Sequence, residues 1–167
     1  MSAALNSARR AQEMRQEFDH AFALPPRDAE AARVQLLAIR INEQPFALKL
    51  AEIAGLYADK KITHVPGSAN AMIGIAGFRG LVAPVYDIAK LMGEQNLQAP
   101  RWLVVSAVAP IAFAFSQFEG QLRISPNEIK PQQSQGKGSA FARALLKTET
   151  VLRPIIDLDL VIGAVKT

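Results

Sequence analysis

The chain has 167 residues, 50% of them hydrophobic and 20% charged, with a formal net charge of +4 and no cysteine. That length is enough for one well-buried domain or two small barrels sharing a core, and the missing cysteine excludes disulfides, thiolate metal sites and a cysteine nucleophile. No apolar run approaches the roughly 18 to 20 residues that span a bilayer, and residues 1–11 hold no hydrophobic signal core, so the reading is a cytoplasmic protein without direct membrane insertion.

Charge along the chain excludes another class. Residues 1–33 balance five basic side chains (Arg9, Arg10, Arg15, Arg27, Arg33) against five acidic ones (Glu13, Glu17, Asp19, Asp28, Glu30). The basic excess therefore belongs to the remainder, where it is scattered, with Lys60-Lys61 the one adjacent basic pair after Arg10. A nucleic-acid groove would cluster Lys and Arg among aromatics, so no nucleic acid is expected as a partner.

Residues 2–22 read as a helix, with Ala4, Ala8, Ala11, Met14, Phe18 and Phe22 at spacings of three and four. The stripe is narrow and alanine-rich. It fits a helix packed on its own domain, a frayed tail, or a partner-binding helix anchored by Met14, Phe18 and Phe22. Pro25-Pro26 ends it, and a domain of residues 34–167 is expected to follow the 1–33 extension.

Val34–Ile41 reads as a strand, Asn42–Pro45 as a turn and Phe46–Leu48 as the start of the return strand. Leu50–Leu56 is a short helical or irregular apolar piece, and Val65–Ser68 is a turn. Ile73–Phe78 and Leu81–Val85 form a hairpin-like pair around Arg79-Gly80. Asp87 is placed to cap a short helix, Ile88–Met92, which Gly93 closes. After a polar linker, Glu94–Pro100, come apolar runs at Trp102–Val108 and Ile111–Phe115, then a strand at Phe118–Ile124. Pro131–Ser139 reads as a surface loop, and Phe141–Leu146 fits helix or strand equally. Val151–Ile156 is a strand in which Pro154 suggests an edge or irregular position. Asp157 then caps a terminal helix ending near Gly163. Many short strands with frequent turns place the chain in the mainly β class, as a sandwich or barrel. The two Asp-capped helices hint at two similar halves.

Catalytic patterns are missing. His20 and His64 lie in separate segments, and no nucleophile elbow, His-Glu-x-x-His pair or phosphate loop occurs. Asp157-Leu158-Asp159 could imitate a Mg²⁺ dyad, but helix capping is the simpler account. Glu52 and Glu119 are acids without a sequence neighbour to work with. No enzyme activity, metal or cofactor is expected. Arg79 stands out, a charge between Phe78 and Gly80 in a strongly apolar stretch. Either it only solvates a hairpin tip, or it is a protruding guanidinium that docks an acidic partner.

Gly74-Ile75-Ala76-Gly77-Phe78-Arg79-Gly80-Leu81-Val82-Ala83-Pro84-Val85-Tyr86-Asp87-Ile88, closing at Leu91-Met92-Gly93, resembles the hallmark of CheW-like domains, G-x-x-N-L-R-G-x-I-x-P-V-x-D-L. Leu50-Ala51-Glu52-Ile53 resembles that family's V-x-E-I, His64-Val65-Pro66 its R-x-P turn, Ile124–Pro131 its I-x-P stretch and Val151–Val161 its terminal strand and helix. The similarity extends from Leu36 to Gly163. Gly77 and Phe78 stand where the motif has Asn and Leu, and Ala112–Ser116 lacks the family's G-x-x-V-D. The resemblance implies two five-stranded β-barrels around a joint core, without catalysis or cofactor. It also implies an adaptor that links the cytoplasmic tip of a chemoreceptor to the regulatory domain of a CheA-type histidine kinase, recruited to receptor arrays or cell poles. Carried across, Glu52, Ile53, Gly74 and Arg79 fall on receptor-facing or motif positions, with Ile75, Phe78 and Gly80 beside them. The alternative is a divergent scaffold in a pilus or surface-motility system, binding another partner through the N-terminal helix.

Overall fold

The computed structural model describes residues 33–133 and 139–166. The N-terminal helix, with Met14, Phe18 and Phe22, and the centre of the Pro131–Ser139 loop lie outside the described residues.

Eleven strands and two α-helices follow one another in the described residues: β1 (Val34–Ile41), β2 (Gln44–Lys49), β3 (Ile53–Ala58), β4 (Met72–Phe78), β5 (Leu81–Asp87), α1 (Ile88–Leu91), β6 (Trp102–Ser106), β7 (Ala112–Phe115), β8 (Gln117–Ile124), β9 (Ile129–Pro131), β10 (Ala142–Lys147), β11 (Leu152–Ile156) and α2 (Leu158–Lys166). They form a six-stranded sheet, β8-β1-β2-β11-β10-β9, and a five-stranded sheet, β3-β6-β7-β5-β4. Each holds a parallel pair, β2 with β11 and β5 with β7. The mainly β class expected from the sequence stands.

Both sheets roll, although neither hydrogen-bonded ladder closes. A flat five-stranded sheet would hold its edge strands about 19 Å apart. Here Tyr57 on edge strand β3 and Phe78 on edge strand β4 have ring centroids 5.0 Å apart. In the other sheet the edge strands β8 and β9 are joined by Ser125 and one 3-10 turn, Pro126–Glu128, which advances only about 6 Å. The expected pair of five-stranded barrels is thus a five-stranded and a six-stranded rolled sheet.

Rolling makes three apolar clusters. Ala76, Phe78, Ala83, Val85, Leu103, Val105, Ala112 and Ala114 fill the five-stranded roll. Leu36, Ala47, Ile124, Leu146 and Ile155 fill the six-stranded one. Between the sheets lies the largest cluster, built from alternate residues of the same strands: Leu37, Ile39, Phe46, Leu48, Val104, Phe113 and Phe115, with Ile88, Leu158, Val161 and Ile162 from the helices. Central strands such as β1 are buried on both faces, so their sequences are almost continuously apolar.

Asp87 is 1% exposed and caps α1, its Oδ1 accepting from the amides of Ala89 at 2.9 Å and Lys90 at 3.4 Å. The Asn96 amide also donates to it and holds the polar linker against the helix. Asp157 repeats the arrangement at α2, accepting from Asp159 at 3.0 Å and Leu160 at 3.2 Å.

Several expectations change. Leu50–Leu56 divides into a 3-10 turn, Leu50–Glu52, and the start of β3. Phe141–Leu146 becomes mostly strand β10, with a neighbour on each side. The strand Ile129–Pro131, too short to show a pattern, was not anticipated. Gly163 lies inside α2 and does not end it. Pro154 sits in an interior strand, between β2 and β10; β2 pairs only with Ile155 and Ile156, so the missing N–H falls just before that ladder begins.

Candidate docking face

The β4–β5 hairpin turns in two residues, Arg79 with φ 46° and Gly80 with φ 85°. Positive φ at both central positions is the type I′ geometry that matches the twist of a hairpin. Glycine adopts it freely, whereas an arginine there costs about 1–2 kcal/mol. The turn is braced from beneath. Phe78, 3% exposed, packs on Tyr57 at the end of β3. The Lys60 Nζ lies 5.2 Å from the Tyr57 centroid and 5.7 Å from that of Phe78, and donates to the Gly77 carbonyl at 3.1 Å. A cation over two rings and a hydrogen bond across the seam tie the hairpin end to β3.

Above this base the surface is apolar and basic. Leu81 is 43% and Val82 65% exposed. Val82 faces Gly77 across the hairpin and Pro84 faces Ile75, so Ile75, Val82 and Pro84 form a strip on the outer side of the sheet. The strip begins at Tyr86, which packs on the shared core, and runs out past its cover. Arg79 is exposed and makes no hydrogen bond or ion pair with any described residue. Nearby, Arg101 grips Asp59 with contacts of 3.0 to 3.3 Å. The Asp59 hydrogen bond and charge raise the guanidinium further above its ordinary value. Asp59 is thereby paired with Arg101, while Lys60 and Arg79 are basic side chains at the hairpin end.

The residues singled out from the sequence separate by placement. Arg79, Gly80 and Ile75 lie on the tip and its outer strip, with Phe78 as their buried support. Gly74 is buried for a backbone reason. A Cβ there, at φ 149°, would lie 2.3 Å from the Thr63 carbonyl oxygen, because the segment at Thr63 bridges Ile75 through hydrogen bonds of 2.8 and 2.9 Å. Ile53 packs, partly buried, on the shared core. Glu52 is already engaged: its carboxylate accepts from the Leu158 amide at 3.0 Å and meets the Lys49 ammonium at 3.1 Å.

Sequence reasoning missed Lys60 as the brace and Leu81 and Val82 as exposed apolar contacts. The run from Leu81 to Val85 is apolar throughout, so alternation gives no sign of which side is covered. It also left Glu119 without a partner. Glu119, on β8 at the bulge opposite Ala38 and Ile39, is held by Arg40 and by Arg153, each at 2.5 Å. Partial burial alone would raise its carboxyl pKa, but hydrogen bonds and charge from both arginines outweigh it and hold the group below the ordinary range.

The family model for the CheW-like domain matches residues 35–166. The chain belongs to the CheW-like domain family. Among curated proteins, this CheW-like chain is 27% identical over 134 residues to the chemotaxis protein CheW of Thermotoga maritima, covering 77% of this chain and 87% of that protein. It is 22% identical over 139 residues to the chemotaxis protein CheW of Bacillus subtilis, covering 77% and 86%. Among solved structures, the crystal structure of the scaffolding protein TtCheW from Thermoanaerobacter tengcongensis superposes with a TM-score of 0.67 at 19% identity, covering 75% of this chain and 89% of that one. That likeness shows the fold. No helix among the described residues is long and apolar enough to cross a membrane.

Proposed function

We propose that this CheW-like chain is a non-enzymatic adaptor in chemotaxis or motility signalling, working in the cytoplasm and coupling a chemoreceptor's cytoplasmic tip to the regulatory domain of a CheA-type histidine kinase. Residues 34–167 serve as the coupling domain and residues 1–33 as an extension, a division that the family match starting at residue 35 supports. The observation that carries the reading is Arg79, a guanidinium without a partner among the described residues, presented on a braced turn beside exposed Leu81 and Val82.

A rigid base lowers the ordering cost of binding, the apolar strip of Ile75, Val82 and Pro84 supplies area to bury, and the basic side chains favour an acidic surface. The test is a pull-down of the full chain against the kinase regulatory domain and against a receptor-tip fragment, with Arg79→Glu alongside. Capture by the wild type and loss in the variant, with unchanged circular dichroism, supports the reading. Failure of the wild type to capture either partner overturns it.

A further inference from the structure

We propose that Glu52 is a positioning residue: it ties helix α2 to edge strand β3, and so sets the strand that braces the Arg79 turn, without touching a partner itself. Its bracing part rests on the adaptor reading above.

The first amides of a helix have no partner inside it. In α2 the Asp157 carboxylate takes the amides of Asp159 and Leu160. The amide of Leu158, the first residue of the helix, is left to be met from outside, and Glu52 meets it at 3.0 Å across 106 residues of sequence. A second carboxylate at this end also complements the helix dipole. Lys49 balances its charge at 3.1 Å, and the Glu52 side chain is only 17% exposed. Little of the carboxylate remains for another molecule.

The position of Glu52 in the chain gives the tie its consequence. It immediately precedes β3, which among the described residues is an edge strand, hydrogen-bonded on one side to β6. An edge strand needs its ends held. At the start, the Glu52 carbonyl accepts from the Ala107 amide at 2.9 Å while the side chain holds α2. Five residues and about 17 Å later, Tyr57 packs on Phe78, and three residues further on Lys60 bonds the Gly77 carbonyl. β3 is thus a strut between the terminal helix, which follows the six-stranded sheet, and the docking turn of the five-stranded sheet.

The test compares the full-length wild type with Glu52→Ala and Glu52→Gln by amide hydrogen exchange and by titration with the kinase regulatory domain. Gln keeps an acceptor for Leu158 and removes the charge. In Glu52→Ala the Leu158 amide should exchange about tenfold faster, as for a lost helix cap. The amides of Leu56 to Ala58 should follow several-fold, and kinase affinity should fall several-fold. Glu52→Gln should recover most of all three. Unchanged Leu158 exchange in Glu52→Ala overturns the tie, and unchanged exchange in β3 overturns the strut. Binding by Glu52→Gln as weak as by Arg79→Glu, with Leu158 still protected, would make the charge a contact and also overturn the proposal. If the wild type binds no kinase domain, the adaptor reading fails, and the exchange measurements alone decide the tie and the strut.

Discussion

Replacing Arg79 by glycine should separate stability from docking. The arginine occupies a left-handed backbone conformation at φ 46°, and its side chain makes no hydrogen bond or ion pair with any described residue. Removing its Cβ relieves about 1–2 kcal/mol of steric cost. Glycine gives back about 0.5–1 kcal/mol through the greater entropy of the unfolded chain. The balance is a gain of about 0.5–1 kcal/mol, or a melting temperature higher by roughly 2–3 °C for a protein of this size. Docking should move the other way, since losing an arginine anchor typically costs about 2 kcal/mol or more, roughly thirtyfold in Kd. Differential scanning calorimetry and titration against the kinase regulatory domain, on the same preparations, read both. A residue that strains the turn yet is needed for binding fits the tendency of local strain to gather at functional sites. A melting temperature lowered by several degrees would refute this, because Arg79 would then be holding the turn together.

Four other expectations are accessible to routine measurement. Gly74→Ala should destabilise the fold by about 2–4 kcal/mol in urea denaturation, because the new Cβ meets the Thr63 carbonyl at φ 149°. Asp87→Ala should cost about 1–2 kcal/mol by the same assay, since it leaves the Ala89 and Lys90 amides uncapped in a buried setting. The Glu119 carboxyl has a folded pKa below its unfolded one, so its stabilisation is present above the unfolded value and is lost as pH falls through the folded value. Glu119→Gln should accordingly be less stable than wild type at pH 7, with the difference closing in acid melts below about pH 4. Association with an acidic partner should slow as salt rises from 50 to 500 mM in stopped-flow mixing, and Arg79→Glu should flatten that dependence.

Local chemistry was legible before any coordinates. The expected Asn42–Pro45 turn and the Arg79-Gly80 tip each lay between runs read as strands; the structure narrows the first to Asn42-Glu43, with Gln44 and Pro45 in β2, and both turns have positive φ at each central residue. Asp87 and Asp157 announced two helix starts, because an N-cap acts within three residues of itself. A two-residue turn at Arg79-Gly80 sets Phe78 opposite Leu81 in the β4–β5 register, whereas the β1–β2 register, with Ile41 opposite Gln44, runs two residues into the stretch expected to be turn. The motif around Arg79 pointed to the family that the match over residues 35–166 shows.

Other features depend on residues far apart in the chain, and only the tertiary structure decided them. The period-2 signal fades wherever a strand is buried on both faces. The sequence therefore could not tell the face of β5 that lines a roll from the strip that runs out to Val82, nor settle Phe141–Leu146 as a strand. Glu119 finds Arg40 and Arg153, and Glu52 finds Leu158, only after the sheets have rolled and packed. A carboxylate's meaning lies in what surrounds it. For short-range turns and caps the surroundings are a few residues along the chain, whereas for these two acids they are strands and a helix that the fold alone brings alongside.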